Sequence, residues 1–294
     1  MKKILFACLV FCLLILDDCF ALDWKKLHEK ADNQSLTQSL MASQKGPGSL
    51  EDNYVLGLAY LNQHRDKEAE AGFGKILERD PGAIEAQWGM AEALRRQHQL
   101  ERAEGLLREI IRGHPGFYPA YISMAYLKYT RLDFKESARL ALQVIKAGRG
   151  KVDLSNYTRA YCLYAGAKGM IAHYGGPLSK LINGAAVKSK LDRAEELQPN
   201  SAGVLFGLGS FYLLAPRIAG GDPLKSEAYL RRAIRIDPFF ADAYVRLAQL
   251  YKIKGEDAFF EKYLRKALEI DPANELALDI RSGRCRFICV GDKQ

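Results

Sequence analysis

Pro81 and Pro115 stand 34 residues apart, and so do Pro238 and Pro272. Each proline closes an amphipathic stretch in which small and bulky apolar residues alternate. A fixed period of this length is that of a stacked helical hairpin, in which every unit covers its neighbour's apolar face and no unit is stable alone. The interval therefore predicts an all-α chain: a right-handed superhelical solenoid of stacked antiparallel helix pairs, about six units long. Proline suits the boundary because it lacks an amide hydrogen and holds the preceding residue extended, which stops one helix and sets the angle of the next.

Aligned on those prolines, the first unit places Leu56, Gly57, Tyr60, Ala69 and Phe73 before Pro81. The second places Met90, Ala91, Leu94, Ala103, Leu107 and Ile110 before Pro115, and the last places Tyr244, Leu247, Ala248, Tyr251, Leu264 and Ala267 before Pro272. Small residues such as Gly57, Ala91, Ala125, Gly209 and Ala248 recur where two axes must approach closely. This pattern resembles the tetratricopeptide repeat. The third unit, Tyr118 to Lys146, ends on Gly148-Arg149-Gly150 instead of a proline, glycine being suited to a left-handed helix terminator.

Units four and five break the period. The fourth runs to Pro199 with about a dozen extra residues around Gly175-Gly176-Pro177, read as an inserted loop between its helices. The fifth carries its excess around Gly220-Gly221-Asp222-Pro223, where Asp222 is placed to cap a helix that begins with Pro223. A Gly-Gly-Asp-Pro turn of this kind is similar to that of exported bacterial repeat proteins, including the T-component proteins of tripartite (TRAP) transporters. Both insertions fall between the helices of adjacent units and so emerge on one edge.

Lys2 and Lys3 followed by the uncharged run Ile4 to Leu16 read as an export signal, too short for a span of about 20 residues. Cys19-Phe20-Ala21 fits a cleavage site, so the chain is expected to be periplasmic or secreted after cleavage at Ala21. Asp18 before Cys19 argues against a lipoprotein. The implied organisation is a signal peptide over 1–21, N-terminal capping helices over 22–49, units one to three over 50–151, unit four with its insertion over 152–199, units five and six over 200–274, and a C-terminal cap and tail over 275–294.

Cleavage would leave Cys162, Cys285 and Cys289. Cys285 and Cys289 lie in an irregular tail and can close a small disulfide loop, while Cys162 reads as a buried, inert thiol. The formal charge of +8 comes from interleaved acids and bases, which describes a solvated surface. Lys128 to Lys151 is the exception, with seven basic residues against Asp133 and Glu136. Nucleic acid does not fit an exported chain as partner; peripheral contact with an anionic membrane or envelope polymer does.

In the tetratricopeptide family the first helix of each unit lines the concave face. Carried over residue by residue, the resemblance implies a partner-binding groove of Tyr54, Leu58, Trp88, Glu92, Arg95, Tyr126, Tyr129, Phe206, Arg246 and Lys252. An aromatic groove with cationic edges suits an extended or helical peptide with an acidic end; the alternative is that several of these aromatics pack between helices. Trp88, Gly89 and Glu92 stand where the family's carboxylate clamp needs polar donors, so that clamp is not expected. His64 and His98 are also 34 residues apart, a spacing that repeat equivalence explains, and no further ligands complete a metal set. Gly207-Leu208-Gly209-Ser210 has neither the strand nor the lysine of a phosphate loop. No catalytic motif and no cofactor are expected. The reading is a non-enzymatic scaffold binding a peptide or protein of the cell envelope. The alternative is an accessory solute-binding component of a transporter, holding a small ligand near the insertion residues Gly175, Gly176, Gly220, Gly221 and Asp222.

Overall fold

A computed structural model describes residues 23–31 and 49–288. The expected signal peptide and Cys289 lie outside the described residues. Fourteen α-helices and no strand occur among those described. A first helix, α1 (Trp24–Ala31), precedes six helix pairs: α2 (Leu50–Asn62) with α3 (Asp66–Arg79), α4 (Ile84–Arg96) with α5 (Leu100–Gly113), and α6 (Tyr118–Thr130) with α7 (Phe134–Ala147). There follow α8 (Leu154–Tyr174) with α9 (Pro177–Leu197), α10 (Ala202–Leu214) with α11 (Pro223–Ile236), α12 (Ala241–Ile253) with α13 (Asp257–Ile270), and a last short helix α14 (Glu275–Arg281). The chain is an all-α superhelical solenoid.

The two helices of a pair are buried differently. α5 is amphipathic: Ala103, Leu107 and Ile110 face inward on one stripe, while Arg108 and Glu109 face water and Glu104 is buried against Lys128 and Arg131. α6 is buried along Pro119 to Ala125 without a break, because it packs on its own partner and on both neighbouring units. The close approach of first helices is set by glycine. The Phe73 ring of α3 is fully buried between Gly57 of α2 and Gly89 of α4; a Cβ at Gly57 would lie 2.6 Å from the ring, and one at Gly89 closer still.

Each proline-terminated pair ends alike. Asp80, His114, Gln198, Asp237 and Asp271 take φ between −127° and −143°, and each returns its amide to the carbonyl four residues back. That is the extended backbone a following proline demands. The turns inside the pairs are equally regular: His64, His98 and Leu132, spaced by the period, all have φ near +60°.

The break in unit four is not a loop. α8 and α9 are 21 residues each, joined only by Gly175-Gly176, whereas the other paired helices have 13 or 14. The extra residues lengthen both helices, which projects the hairpin about 10 Å beyond its neighbours at 1.5 Å per residue. Apolar residues at helical spacing on the facing sides, Tyr161 and Ala165 on α8 with Val187, Leu191 and Ala194 on α9, bury the pairing surface. The break in unit five is irregular as expected: a 3-10 turn at Arg217–Ala219, Gly220 at φ 95°, then Asp222, whose carboxylate accepts from the amides of Leu224 and Lys225. Gly221 lies so close to the Ala215 carbonyl that no Cβ fits there.

Candidate functional site

The superhelix turns far enough for its first two units to meet its last two. His64 Nε2 donates to the Asp237 carboxylate at 2.9 Å, and its Nδ1 accepts from Arg96, which pairs with Asp66 at 2.9 Å. One repeat further on, His98 Nε2 donates to Asp271 at 2.9 Å and Nδ1 to Glu275 at 3.2 Å. Hydrogen bonds to Asp271 and then Glu275 push His98 up to about 10, so it is an imidazolium at neutral pH. The two contacts share one register, since both His64 to Asp237 and His98 to Asp271 span 173 residues. Turns inside the first pairs are thus clasped to the Asp-Pro turns that end the fifth and sixth.

Closure converts the concave face into a cavity of about 1650 Å³. Its lining comes from α4 and α6 on one side, from α8, α9 and α10, and from α12, α14 and the tail on the other. The α4 wall carries Arg95, whose guanidinium lies 4.2 Å from the Tyr126 ring centre and donates to the Glu92 carboxylate at 3.0 and 3.2 Å. Burial opposes the Glu92 charge, but Arg95 and Arg159 override it and hold the carboxyl down at about 2. On the opposite wall Arg246 is buried, and burial lowers its pKa. Its terminal nitrogens donate to the carbonyls of Phe287 (3.1 Å) and Ile288 (3.2 Å) and to Gln249 (2.7 Å), leaving Nε without a hydrogen-bond partner. Gln249 donates to the same Ile288 carbonyl, and Phe287 stacks on Tyr129 with centroids 6.0 Å apart. Burial pushes Tyr129 up to about 12 and the nearby Asp242 carboxyl upward. Phe206 meets Phe240 at 5.0 Å, and Cys162, a free thiol pushed up to about 12 by burial, completes an apolar stretch of wall.

Of the groove residues expected from sequence, Arg95, Tyr126, Tyr129, Phe206 and Arg246 line this cavity together. Tyr54 and Trp88 do not: both are buried in the core, because α1 covers that end of the concave face. Tyr54 hydrogen bonds to His28 at 2.8 Å, while the Trp88 indole packs on His28 and donates to Ser123 at 2.9 Å. Leu58 is core as well. Glu92 sits behind the wall as the partner of Arg95. Lys252 points to solvent, paired with Asp257 at 2.7 Å and standing over Phe260, away from the cavity. The insertion residues Gly175, Gly176, Gly220, Gly221 and Asp222 shape turns; their neighbours Lys180, Leu181, Pro216 and Ala219 reach the cavity.

Cys285 is disulfide-bonded; Cys289, the partner expected for it, lies outside the described residues. His64 and His98, read from sequence as repeat equivalents without a role, are the clasp. One sequence signal marked it: Asp237 and Asp271 precede the periodic prolines and repeat at the same 34-residue interval as the histidines. Among the described residues no group of three or more His, Cys, Asp or Glu side chains is placed to hold a metal ion, and no helix is long and apolar enough to cross a membrane.

A family model described as TRAP transporter T-component matches residues 95–281, more than half of the chain. The chain belongs to the TRAP transporter T-component family. A tetratricopeptide repeat model matches residues 54–116, the first two units. No curated protein sequence matches. Among solved structures, a tetratricopeptide repeat protein from Parabacteroides merdae is 13% identical with a TM-score of 0.52, the match covering 88% of this chain and 97% of that one. The Cut9–Hcn1 hetero-tetramer of the APC/C gives 16% identity and a TM-score of 0.51, over 88% of this chain and 46% of that one. At these identities the similarity is one of fold. The T-component match spans the cavity walls from Arg95 to α14, and the tetratricopeptide match spans units that contribute the two clasp histidines.

Proposed function

We propose that this T-component protein is a non-enzymatic, solute-holding accessory of a tripartite transporter, and that its ligand is a small molecule with an apolar body, enclosed in the central cavity. The observation that carries this reading is closure. The His64 and His98 clasps join the two ends of the superhelix around a half-open cavity of about 1650 Å³, and a space walled on both sides favours a compact ligand over a long peptide lying in an open groove. Phe206, Phe240 and Leu191 offer apolar contact, while Arg95, Arg246 and the Tyr126 and Tyr129 rings supply polar points for orientation. The charged groups are tied to one another or to backbone carbonyls, an arrangement for holding and not for proton transfer. An envelope location agrees with the export signal expected at residues 1–21.

Native mass spectrometry of freshly purified protein tests the reading. A co-purifying small molecule that is lost on Phe206→Asp, which puts a charge in the apolar wall, supports it; a clean mass together with no ligand-dependent rise in melting temperature across a solute panel overturns it.

A second reading, a scaffold that binds a peptide in its groove, has one observation in its favour. Arg246 and Gln249 already grip two successive backbone carbonyls of the chain's own tail, as a groove grips an extended peptide. Capture of an envelope protein that is lost with Arg246→Met, but kept with Phe206→Asp, would favour it.

A further inference from the structure

The hairpin α8–α9 is the longest among the described residues, and its projecting end is apolar. Leu178, Leu181 and Ile182 are 69%, 70% and 61% exposed, and Tyr174 at the turn is 57% exposed. The neighbouring interruption in unit five presents Ile218, 99% exposed, and Leu224, 77% exposed. Aliphatic side chains so far out in water, in two consecutive units, call for a cover.

Charge identifies the cover. No aspartate or glutamate occurs from Leu154 to Leu191, which is all of α8 and most of α9, while lysines stand at 168, 180, 188 and 190. The unit-five interruption adds Arg217 and Lys225, both exposed. Its acid, Asp222, is turned inward to cap α11. The two segments adjoin: the ammonium groups of Lys188 on α9 and Lys225 on α11 lie 5.8 and 5.4 Å from the centre of the same Tyr212 ring. Lys188 pairs with Asp192, and the Lys225 ammonium lies 4.0 Å from Asp222, whereas Lys180, Lys190 and Arg217 face no carboxylate among the described residues. In the basic run from Lys128 to Lys151, by contrast, Lys128 and Arg131 sit on Glu104, Arg139 on Glu136 and Arg149 on Glu29.

We propose that the tip of the α8–α9 hairpin and the Arg217–Leu224 loop form one surface that docks on an anionic lipid bilayer. Leu178, Leu181, Ile182 and Ile218 enter the headgroup boundary, and Lys180, Arg217 and Lys225 stay at phosphate level with their stems along the apolar tips. A protein partner fits the surface less well. It is convex and aliphatic, whereas protein hot spots are packed pockets rich in Trp, Tyr and Arg. A second copy of the chain would set lysine against lysine. The consequence is an orientation: Leu181, Pro216 and Ala219, which border the cavity, bring one side of it to the membrane surface.

Co-sedimentation of the full chain with vesicles of phosphatidylcholine containing 30 mol% phosphatidylglycerol tests this, against vesicles of phosphatidylcholine alone. Residues 1–22 are common to every variant, so their own lipid affinity cancels in the comparison. Leu181→Ser with Ile218→Ser is expected to weaken binding to the anionic vesicles by about tenfold, and Lys180→Glu with Arg217→Glu by more than about tenfold, with salt reducing the wild type similarly. All four positions are exposed, so an unchanged far-ultraviolet melting curve is expected to accompany the loss. Equal sedimentation of wild type and variants, or equal wild-type binding to both vesicle types, overturns the proposal. So does a double serine variant that keeps its lipid binding yet loses a cross-linked protein partner, which would make the surface a protein interface.

Discussion

Replacing His98 by asparagine removes the imidazolium from the clasp while sparing the turn, because asparagine tolerates the left-handed backbone that position 98 adopts at φ 61°. His98 is raised from 6.5 to about 10 by Asp271 and Glu275. At 1.36 kcal/mol per unit that is at most about 5 kcal/mol. A quarter of the His98 side chain and about three-tenths of each carboxylate are in contact with water. Screening therefore leaves about 1–2 kcal/mol. A raised pKa in the folded state places this contribution fully below pH 6.5 and removes it as pH climbs through about 10. At the acid end the gap closes again as Asp271, whose pKa is lowered in the fold, takes up its proton. Urea unfolding of wild type and His98→Asn at pH 7 and pH 10.5 measures it: a gap of about 1–2 kcal/mol at pH 7 should shrink by more than half at pH 10.5. Lysine and tyrosine titration is shared by both proteins and cancels. A gap under about 0.3 kcal/mol at pH 7, or one that does not change with pH, would refute the clasp as an energetic link between the ends of the solenoid.

Gly89→Ala should destabilise by about 1–3 kcal/mol, since a Cβ there strikes the buried Phe73 ring; Phe73→Ala, which leaves a cavity between α2, α3 and α4, should cost about 3–5 kcal/mol in the same unfolding assay. Glu92→Gln strands Arg95 in a buried site and should cost about 3 kcal/mol at pH 7; because Glu92 is lowered to about 2, its contribution holds above pH 4.5 and fades only as pH falls toward 2, so the wild-type advantage should persist at pH 4. Ser123→Ala removes the acceptor of the Trp88 indole and should cost about 1–3 kcal/mol with a shift in Trp fluorescence, whereas Lys252→Ala, an exposed rim pair, should change stability by less than about 0.5 kcal/mol.

The two ends of this range of readability meet at positions 88 and 95, one helix, seven residues apart. Both belong to the family's concave positions, yet Trp88 is core and Arg95 lines the cavity, because α1 covers one and not the other. Nothing local to α4 encodes that difference; it depends on a segment some sixty residues upstream. The glycines of unit four were misleading for a related reason. Gly175-Gly176 marks a turn in any reading, but whether a dozen extra residues form a loop or lengthen two helices depends on whether Tyr161 and Ala165 find Val187 and Leu191 across the hairpin. Arg246 was legible as a groove cation, while its attachment to the Phe287 and Ile288 carbonyls was not, since backbone acceptors leave no mark in side-chain pattern.

By itself, the sequence determined the repeat. Periodic prolines force extended backbone at each unit boundary, and glycines at 57 and 209 admit Phe73 and Leu230 between close axes, so local sterics alone dictate a helical-hairpin solenoid. Tertiary structure decided what that solenoid encloses. Small rotations between successive pairs accumulate over the chain, and only their sum brings His64 to Asp237 and His98 to Asp271. An open groove and a cavity clasped at its rim share the same repeat signature, and the difference between them lies in contacts 173 residues apart.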